Sequence, residues 1–226
     1  MTVNMSVNLC GVTLKNPVIA ASGTFAFGRQ HSWFIDVNQL GGIALKSITP
    51  EKRPGNPPPR IAETASGIVN SVGLQNPGID GFLTDTLKEV KALDTVVIAN
   101  IAGSRIEDYV AVAERLNDAP VTMLELNISC PNVKLGGASL GTDPKSAAEC
   151  TRAVKAVTNK PLIVKLTPAA GSIVAVAKAV EDAGADAVSL INTLPAMAVD
   201  VRTRRPILGN VTGGLSGPAI IPVAHR

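Results

Sequence analysis

The chain has no block of about five like charges, no apolar run near the roughly 18 residues that cross a bilayer, and few histidines or cysteines. Each absence removes a class of function. The 21 Lys and Arg residues nearly balance 18 Asp and Glu, so nothing tracks a nucleic-acid backbone, and a net charge of +3 favours no particular ligand. Met1-Thr2-Val3-Asn4-Met5 lacks the basic flank of a signal peptide, so the chain is expected in the cytoplasm with no membrane partner. Cys10, Cys130 and Cys150 are widely separated, and His31 and His225 stand in no ligand spacing. Neither a disulfide framework nor a metal site is therefore expected, and any redox chemistry must come from an organic cofactor.

What is present is a compact globular domain, expected to be one unit over residues 1–226, with 46% hydrophobic and 17% charged residues. Short apolar runs rich in β-formers alternate with amphipathic stretches. Residues 17–22, 42–47, 96–103, 123–129, 161–167 and 187–193 read as six buried parallel strands. Between them, Ser104 is expected to cap a helix that presents Ile106, Tyr109, Val110, Ala113 and Leu116 on one face. Asp143-Pro144 is an N-cap followed by proline at the first helical position, and a third helix runs from about Ser172 to Ala183, stopped by Gly184. Residues 48–80 form one long insertion, in which Pro54 to Pro59 reads on composition equally as a stiff lid loop or as a surface linker.

Such alternation gives a parallel sheet covered by helices, either closed as a barrel or open and doubly wound. The polar residues decide. Lys46-Ser47, Asn100, Asn127, Lys165 and Asn192-Thr193 all fall at or just past the C-terminal ends of successive strands, where a (β/α)₈ TIM barrel assembles its site. An open sheet would gather them at one switch point after a glycine-rich first turn, which Ala20-Ala21-Ser22-Gly23-Thr24 is not. Six strands are two βα units fewer than a closed barrel needs, so the fold is expected to be C-terminally incomplete. The final residues read as a helix capped by Ser216 with Pro218 in its first turn.

The candidate chemistry centres on Asn127-Ile128-Ser129-Cys130-Pro131-Asn132, which leaves the fourth strand for a loop containing Gly136 and Gly137. A thiol on such a loop can meet substrate, and its ordinary pKa of about 8.5 makes it a usable base after a modest shift. Cys10, in a strand-like setting, and Cys150, in a helical one, read as inert. Lys46 and Lys165 end apolar strands, where a buried ammonium needs an anionic partner; either an internal pair with Glu125 or Glu63, or a ligand, would provide it. Asn70, Asn100, Asn127, Asn132 and Asn192 carry amides that both donate and accept, as needed to read a ring of alternating N–H and C=O groups.

At these residues the sequence resembles the dihydroorotate dehydrogenases. Ala20-Ala21-Ser22-Gly23, Lys46-Ser47, Gly55-Asn56-Pro57, Asn70-Ser71-Val72-Gly73-Leu74, the segment Asn127 to Asn132, Ile191-Asn192-Thr193 and Thr212 to Gly217 follow that family's order. Cysteine at 130, where membrane-associated members carry serine, points to the soluble class. Lys134-Leu135-Gly136-Gly137 and Gly213-Gly214-Leu215-Ser216-Gly217 resemble the type that passes electrons to NAD through a separate subunit carrying FAD and an iron–sulfur cluster. The resemblance implies oxidation of (S)-dihydroorotate to orotate in pyrimidine biosynthesis, with FMN at the barrel mouth. It implies flavin contacts from Ser22, Lys46, Ser47, Asn100, Asn127, Lys165, Ile191 and Gly217. Substrate contacts are implied for Lys46, Asn70, Ser71, Val72, Gly73, Leu74, Asn127, Asn192 and Thr193, and Cys130 is implied as the base. A homodimer joined to the electron-transfer subunit as a heterotetramer goes with that type. The alternatives are a flavin barrel like that of the dihydropyrimidine dehydrogenases, or a truncated barrel without catalysis.

Overall fold

The computed structural model describes residues 3–129 and 140–226. In chain order the first elements are β1 (Val7–Leu9), β2 (Val12–Leu14), β3 (Ile19–Ala20), β4 (Gly42–Ala44), β5 (Ile61–Thr64) and β6 (Gly67–Asn70). Then come α1 (Gly78–Gly81), a π-helical turn at Phe82–Thr86, α2 (Leu87–Val90), β7 (Val96–Ile101), α3 (Ile106–Leu116), β8 (Met123–Asn127) and α4 (Pro144–Lys155). The rest are β9 (Leu162–Lys165), α5 (Ile173–Asp182), β10 (Ala187–Ser189), β11 (Leu194–Ala196), β12 (Val199–Asp200), β13 (Arg205–Pro206), β14 (Gly213–Ser216) and α6 (Ile221–His225).

The six expected strands are present as β3, β4, β7, β8, β9 and β10, and they form one parallel sheet in sequence order. This is a barrel-type α/β fold with six barrel strands among the described residues. Its large core lies between the sheet and its helices. Leu45, Val97, Ala99, Ile101, Leu124, Leu126, Leu162 and Val164 point outward into it, and α3, α4 and α5 answer with Tyr109, Val112, Leu116, Ala147, Cys150, Val154, Val176 and Val180.

The inner face of the same strands is built in tiers, because side chains two residues apart share a face. Ala44, Ile98, Met123 and Ile163 form an apolar floor with Val96 and Ala187, closed by Leu9, Cys10 and Val12 of the β1–β2 hairpin. Two residues further along each strand stand Lys46, Asn100, Glu125, Lys165 and Ser189. The polar tier therefore rests directly on the floor, towards the C-terminal strand ends.

Two excursions from those ends meet in a second, antiparallel sheet of order β11-β14-β6-β5. It has a small core of Ala62, Val69 and Leu208 with Ala196, Ala198 and Leu215. The insertion after β4 is therefore partly strand rather than loop, since β6 finds in β14 a partner far along the chain, Asn70 opposite Gly214.

Three local expectations are corrected. Ser104 does not cap α3. The Asp108 carboxylate accepts from the Ser104 and Arg105 amides at 2.6 and 3.1 Å, while Ser104 Oγ accepts from Arg53 Nη2. Ser216 is not a cap either, because it is paired in β14 with Ile68; Pro218–Ile220 form a 3₁₀ turn that leads into α6. Cys10 sits at the left-handed tip between β1 and β2 (φ 52°) rather than in a strand, with its thiol donating to the Asp186 carbonyl. The cap at Asp143 is as expected, accepting from the Ser146 amide at 2.8 Å, and the third helix starts where expected, with Ser172 accepting from the Ala175 amide at 3.2 Å.

Candidate functional site

The site grows out of the polar tier. Lys165 closes β9 and donates through Nζ to Ser22 Oγ at 3.2 Å, and Asn100 Nδ2 donates to the same oxygen at 3.2 Å. Asn100 Nδ2 also donates to Glu125 Oε2, whose other oxygen accepts from Ser189 Oγ at 2.8 Å. Ser22, Asn100, Glu125, Lys165 and Ser189 thus form one chain of contacts spanning β3 to β10.

A second group surrounds Asn127 at the end of β8. Its carbonyl accepts from the buried Tyr109 hydroxyl at 3.0 Å, its Oδ1 accepts from Asn192 Nδ2 at 3.2 Å, and its Nδ2 lies 3.4 Å from Ser47 Oγ. Asn192 Oδ1 in turn accepts from the Thr193 amide at 2.8 Å. Expected contacts from β4, β8 and the loop after β10 are brought together here.

Lys46 stands in the polar tier, two residues past the end of β4. Burial lowers its pKa first, and the charge of Lys165 lowers it further. Neither lysine has a carboxylate partner within ion-pair distance among the described residues, so the internal pairs with Glu125 or Glu63 do not form. A cleft of about 490 Å³ opens beside Lys46, with Thr24, Arg53, Val72 and Asn76 on its walls.

The segment 70–74 approaches from the insertion. Asn70 Nδ2 donates to the Gly214 carbonyl at 3.3 Å, Ser71 O accepts from Asn56 Nδ2 at 3.0 Å, and Val72 O accepts from the Asn56 amide at 3.1 Å. Gly73 adopts φ 76°, and a Cβ there would come within 2.6 Å of Asn56, so only glycine fits beside this bracket. Leu74 follows at φ 53°. Asn56 was legible only as part of a family motif; its bracketing role depends on a fold-back that spacing does not reveal.

Two expected residues are not joined to these groups by any described hydrogen bond. Ile191 lies in the loop after β10, and Gly217, at φ 105°, packs against Gly67. Cys130, like Asn132 and the loop glycines Gly136 and Gly137, lies outside the described residues. Sequence reasoning missed Ser189 and Tyr109, and offered Glu125 only as a partner for lysine. Neither an apolar strand nor a helix face announces which polar group lies behind it.

Asn100 Oδ1 and Ser71 Oγ are buried without a hydrogen-bond partner among the described residues. Buried polar atoms left unpaired cost roughly 1–3 kcal/mol each, so a polar ligand with matching groups fits this mouth. The donor set is amides, hydroxyls and ammonium groups, as suits an electron-rich heterocycle. Among the described residues no cluster of three His, Cys, Asp or Glu is arranged for a metal, and no helix is long and apolar enough to cross a membrane.

A sequence model of the family described as dihydroorotate dehydrogenase matches residues 4–226. Among curated relatives, the Alkaliphilus oremlandii protein named dihydroorotate dehydrogenase B (NAD(+)), catalytic subunit, is 56% identical over 223 residues, covering 99% of this chain and 74% of the relative. Relatives of the same name from Alkaliphilus metalliredigens and Geobacillus kaustophilus are 57% and 55% identical, with 74% and 71% of their length covered. The crystal structure of the Eimeria tenella enzyme with ferulenol superposes with a TM-score of 0.75 at 23% identity, over 96% of this chain and 66% of that one. That likeness supports the fold alone.

Proposed function

The chain belongs to the dihydroorotate dehydrogenase family, and from that membership we propose that it oxidises (S)-dihydroorotate to orotate in pyrimidine biosynthesis with FMN as its flavin. The observation that carries the reading is the pair of lysines. Lys46 and Lys165 face one mouth without a carboxylate partner among the described residues, as a carboxylate-bearing substrate and an electron-rich ring require. The partnerless Asn100 Oδ1 supports a heterocycle that brings an N–H donor.

In this reading Ser22, Lys46, Ser47, Asn100, Asn127, Lys165, Ile191 and Gly217 hold FMN. Lys46, the segment Asn70 to Leu74, Asn127, Asn192 and Thr193 hold the substrate. When bound, FMN supplies the two-electron acceptor for the hydride that leaves substrate C6. Cys130 takes the C5 proton, so that the C5–C6 bond becomes double as both hydrogens depart. Asn127, clamped by Tyr109, Asn192 and Ser47, fixes the substrate ring against rotation. Lys165 places a positive charge where the reduced ring gathers negative charge.

The relatives' names, which carry NAD(+) and "catalytic subunit", support a separate electron-transfer subunit, and FAD and an iron–sulfur cluster belong to that chain in this reading. A homodimer of this chain within a heterotetramer, located in the cytoplasm, completes the proposal. The test is a visible flavin spectrum of the purified protein, then competition for dihydroorotate by orotate and by uracil. Flavin absorbance with competition by orotate alone is expected. Competition by uracil alone would instead fit a dihydropyrimidine-type barrel, and a colourless protein that takes up no FMN would overturn the flavin reading.

A further inference from the structure

Glu125 and its partner Ser189 are the polar-tier residues that the reaction leaves unused. Glu125 stands in the middle of β8, 6% exposed, with Met123 below it and Asn127 above. Burying a carboxylate is costly unless both oxygens are met by donors, and here they are: Oε1 by Ser189 and Oε2 by Asn100.

An ionised carboxylate accepts and cannot donate, so the Asn100 amide must turn its NH₂ towards Glu125. The same NH₂ reaches Ser22 Oγ at 3.2 Å, and Lys165 Nζ donates to that oxygen from the other side. With the nitrogen committed twice, Asn100 Oδ1 is left as a buried acceptor with no partner among the described residues. Without Glu125 the amide could rotate and present NH₂ instead, at little steric cost.

We propose that Glu125 is a positioning residue that fixes the direction of the relay Glu125–Asn100–Ser22 and so makes Asn100 present an acceptor that selects a ligand N–H. Resting on the reading that this mouth holds FMN, the donor it selects is the imide N–H, the single N–H that an oxidised isoalloxazine carries. Ser189 secures the far oxygen of Glu125, and the Ser22 hydroxyl hydrogen, with two donors already pointing at its oxygen, is directed onward to a ligand acceptor.

The test compares affinity for FMN with affinity for 3-methyl-FMN, whose imide N–H is blocked, in the purified protein stripped of flavin. Wild-type protein should prefer FMN by about 10-fold or more. Glu125→Gln, nearly isosteric, lets the amide choose either orientation, and the preference should fall to about 2-fold or less. Asn100→Ala should lose the preference in the same way, and it keeps the question open to measurement if Glu125→Gln does not fold. Ser189→Ala, which leaves the Asn100 contact in place, should keep it. A full preference in either Glu125→Gln or Asn100→Ala overturns the proposal. A readout that needs no flavin runs alongside: the Asn100 carboxamide protons should exchange slowly with solvent in flavin-free wild type and rapidly in Glu125→Gln. Equal exchange rates overturn the relay. Slow wild-type exchange in a protein that binds neither flavin would uphold the relay while overturning the FMN reading.

Discussion

Lys46 is held below its ordinary pKa first by burial and then by the charge of Lys165. The folded chain thus holds Lys46 below 10.5, and between the lowered value and 10.5 the unfolded chain binds more protons. Stability of the ligand-free protein therefore rises with pH across that window, and below it the penalty is carried in full. Lys46→Met should raise the Tm of the ligand-free protein at pH 7 while weakening orotate by about 10- to 100-fold. Thermal melts and an orotate titration check both halves; a lower Tm with unchanged orotate affinity would contradict them.

Positioned acid–base groups contribute about 10² to 10⁴ in rate. With Cys130 as base, Cys130→Ala should slow single-turnover flavin reduction by about that factor and leave orotate affinity nearly unchanged. Cys130→Ser should retain some activity with its optimum moved to higher pH, because a hydroxyl is a far weaker acid than a thiol. Stopped-flow reduction by dihydroorotate decides, and wild-type rates in the alanine variant would remove the thiol from the mechanism.

Replacing Lys165 by alanine removes the positive charge held beside Ser22. Negative charge on a reduced flavin would then be less stabilised, so the flavin's reduction potential should fall along with its affinity. A fall of 30 mV corresponds to about 1.4 kcal/mol for a two-electron couple, within reach of a dye-equilibration titration. An unaltered potential would leave Lys165 a binding residue only.

Gly214 lies in β14 opposite Pro195, and a Cβ built on it would collide with the Thr193 side chain. Gly214→Ala must therefore push Thr193 aside, and with it the Asn192–Asn127 contact. The expected result is a KM for dihydroorotate raised about 10-fold or more with FMN affinity unchanged. Steady-state kinetics beside a flavin titration separate this from general unfolding, which would lower the apparent kcat and the amount of FMN bound and leave KM as it was.

Much of the barrel was legible because its strands are buried on both faces and so read as continuous apolar runs. The six strands appeared where expected, each shorter at its C-terminal end, with Lys46-Ser47 and Asn192-Thr193 lying past the ladder. The antiparallel sheet was not legible. β6 and β14 are glycine-bearing four-residue strands, half exposed, and their alternation means little until each is seen to have the other as partner. Lys46 and Asn127 could be read as candidate site residues because a polar side chain ending an apolar run is conspicuous. Glu125 could not: its neighbours Leu124 and Leu126 face the outer core, and only the tier two residues above Met123 shows what it serves.

The pairing of Asn70 with Gly214 joins residues 144 positions apart. At a translation rate of about 5–20 residues per second, roughly 7–30 s pass between the synthesis of the two strands. For that interval β6 has β5 on one edge and nothing on the edge that β14 will cover, whereas β4, β7 and β8 can already associate. The strands of the barrel floor are thus all synthesised before β6 gains its second partner. A chaperone or a protease that meets the nascent chain in those seconds meets the insertion first.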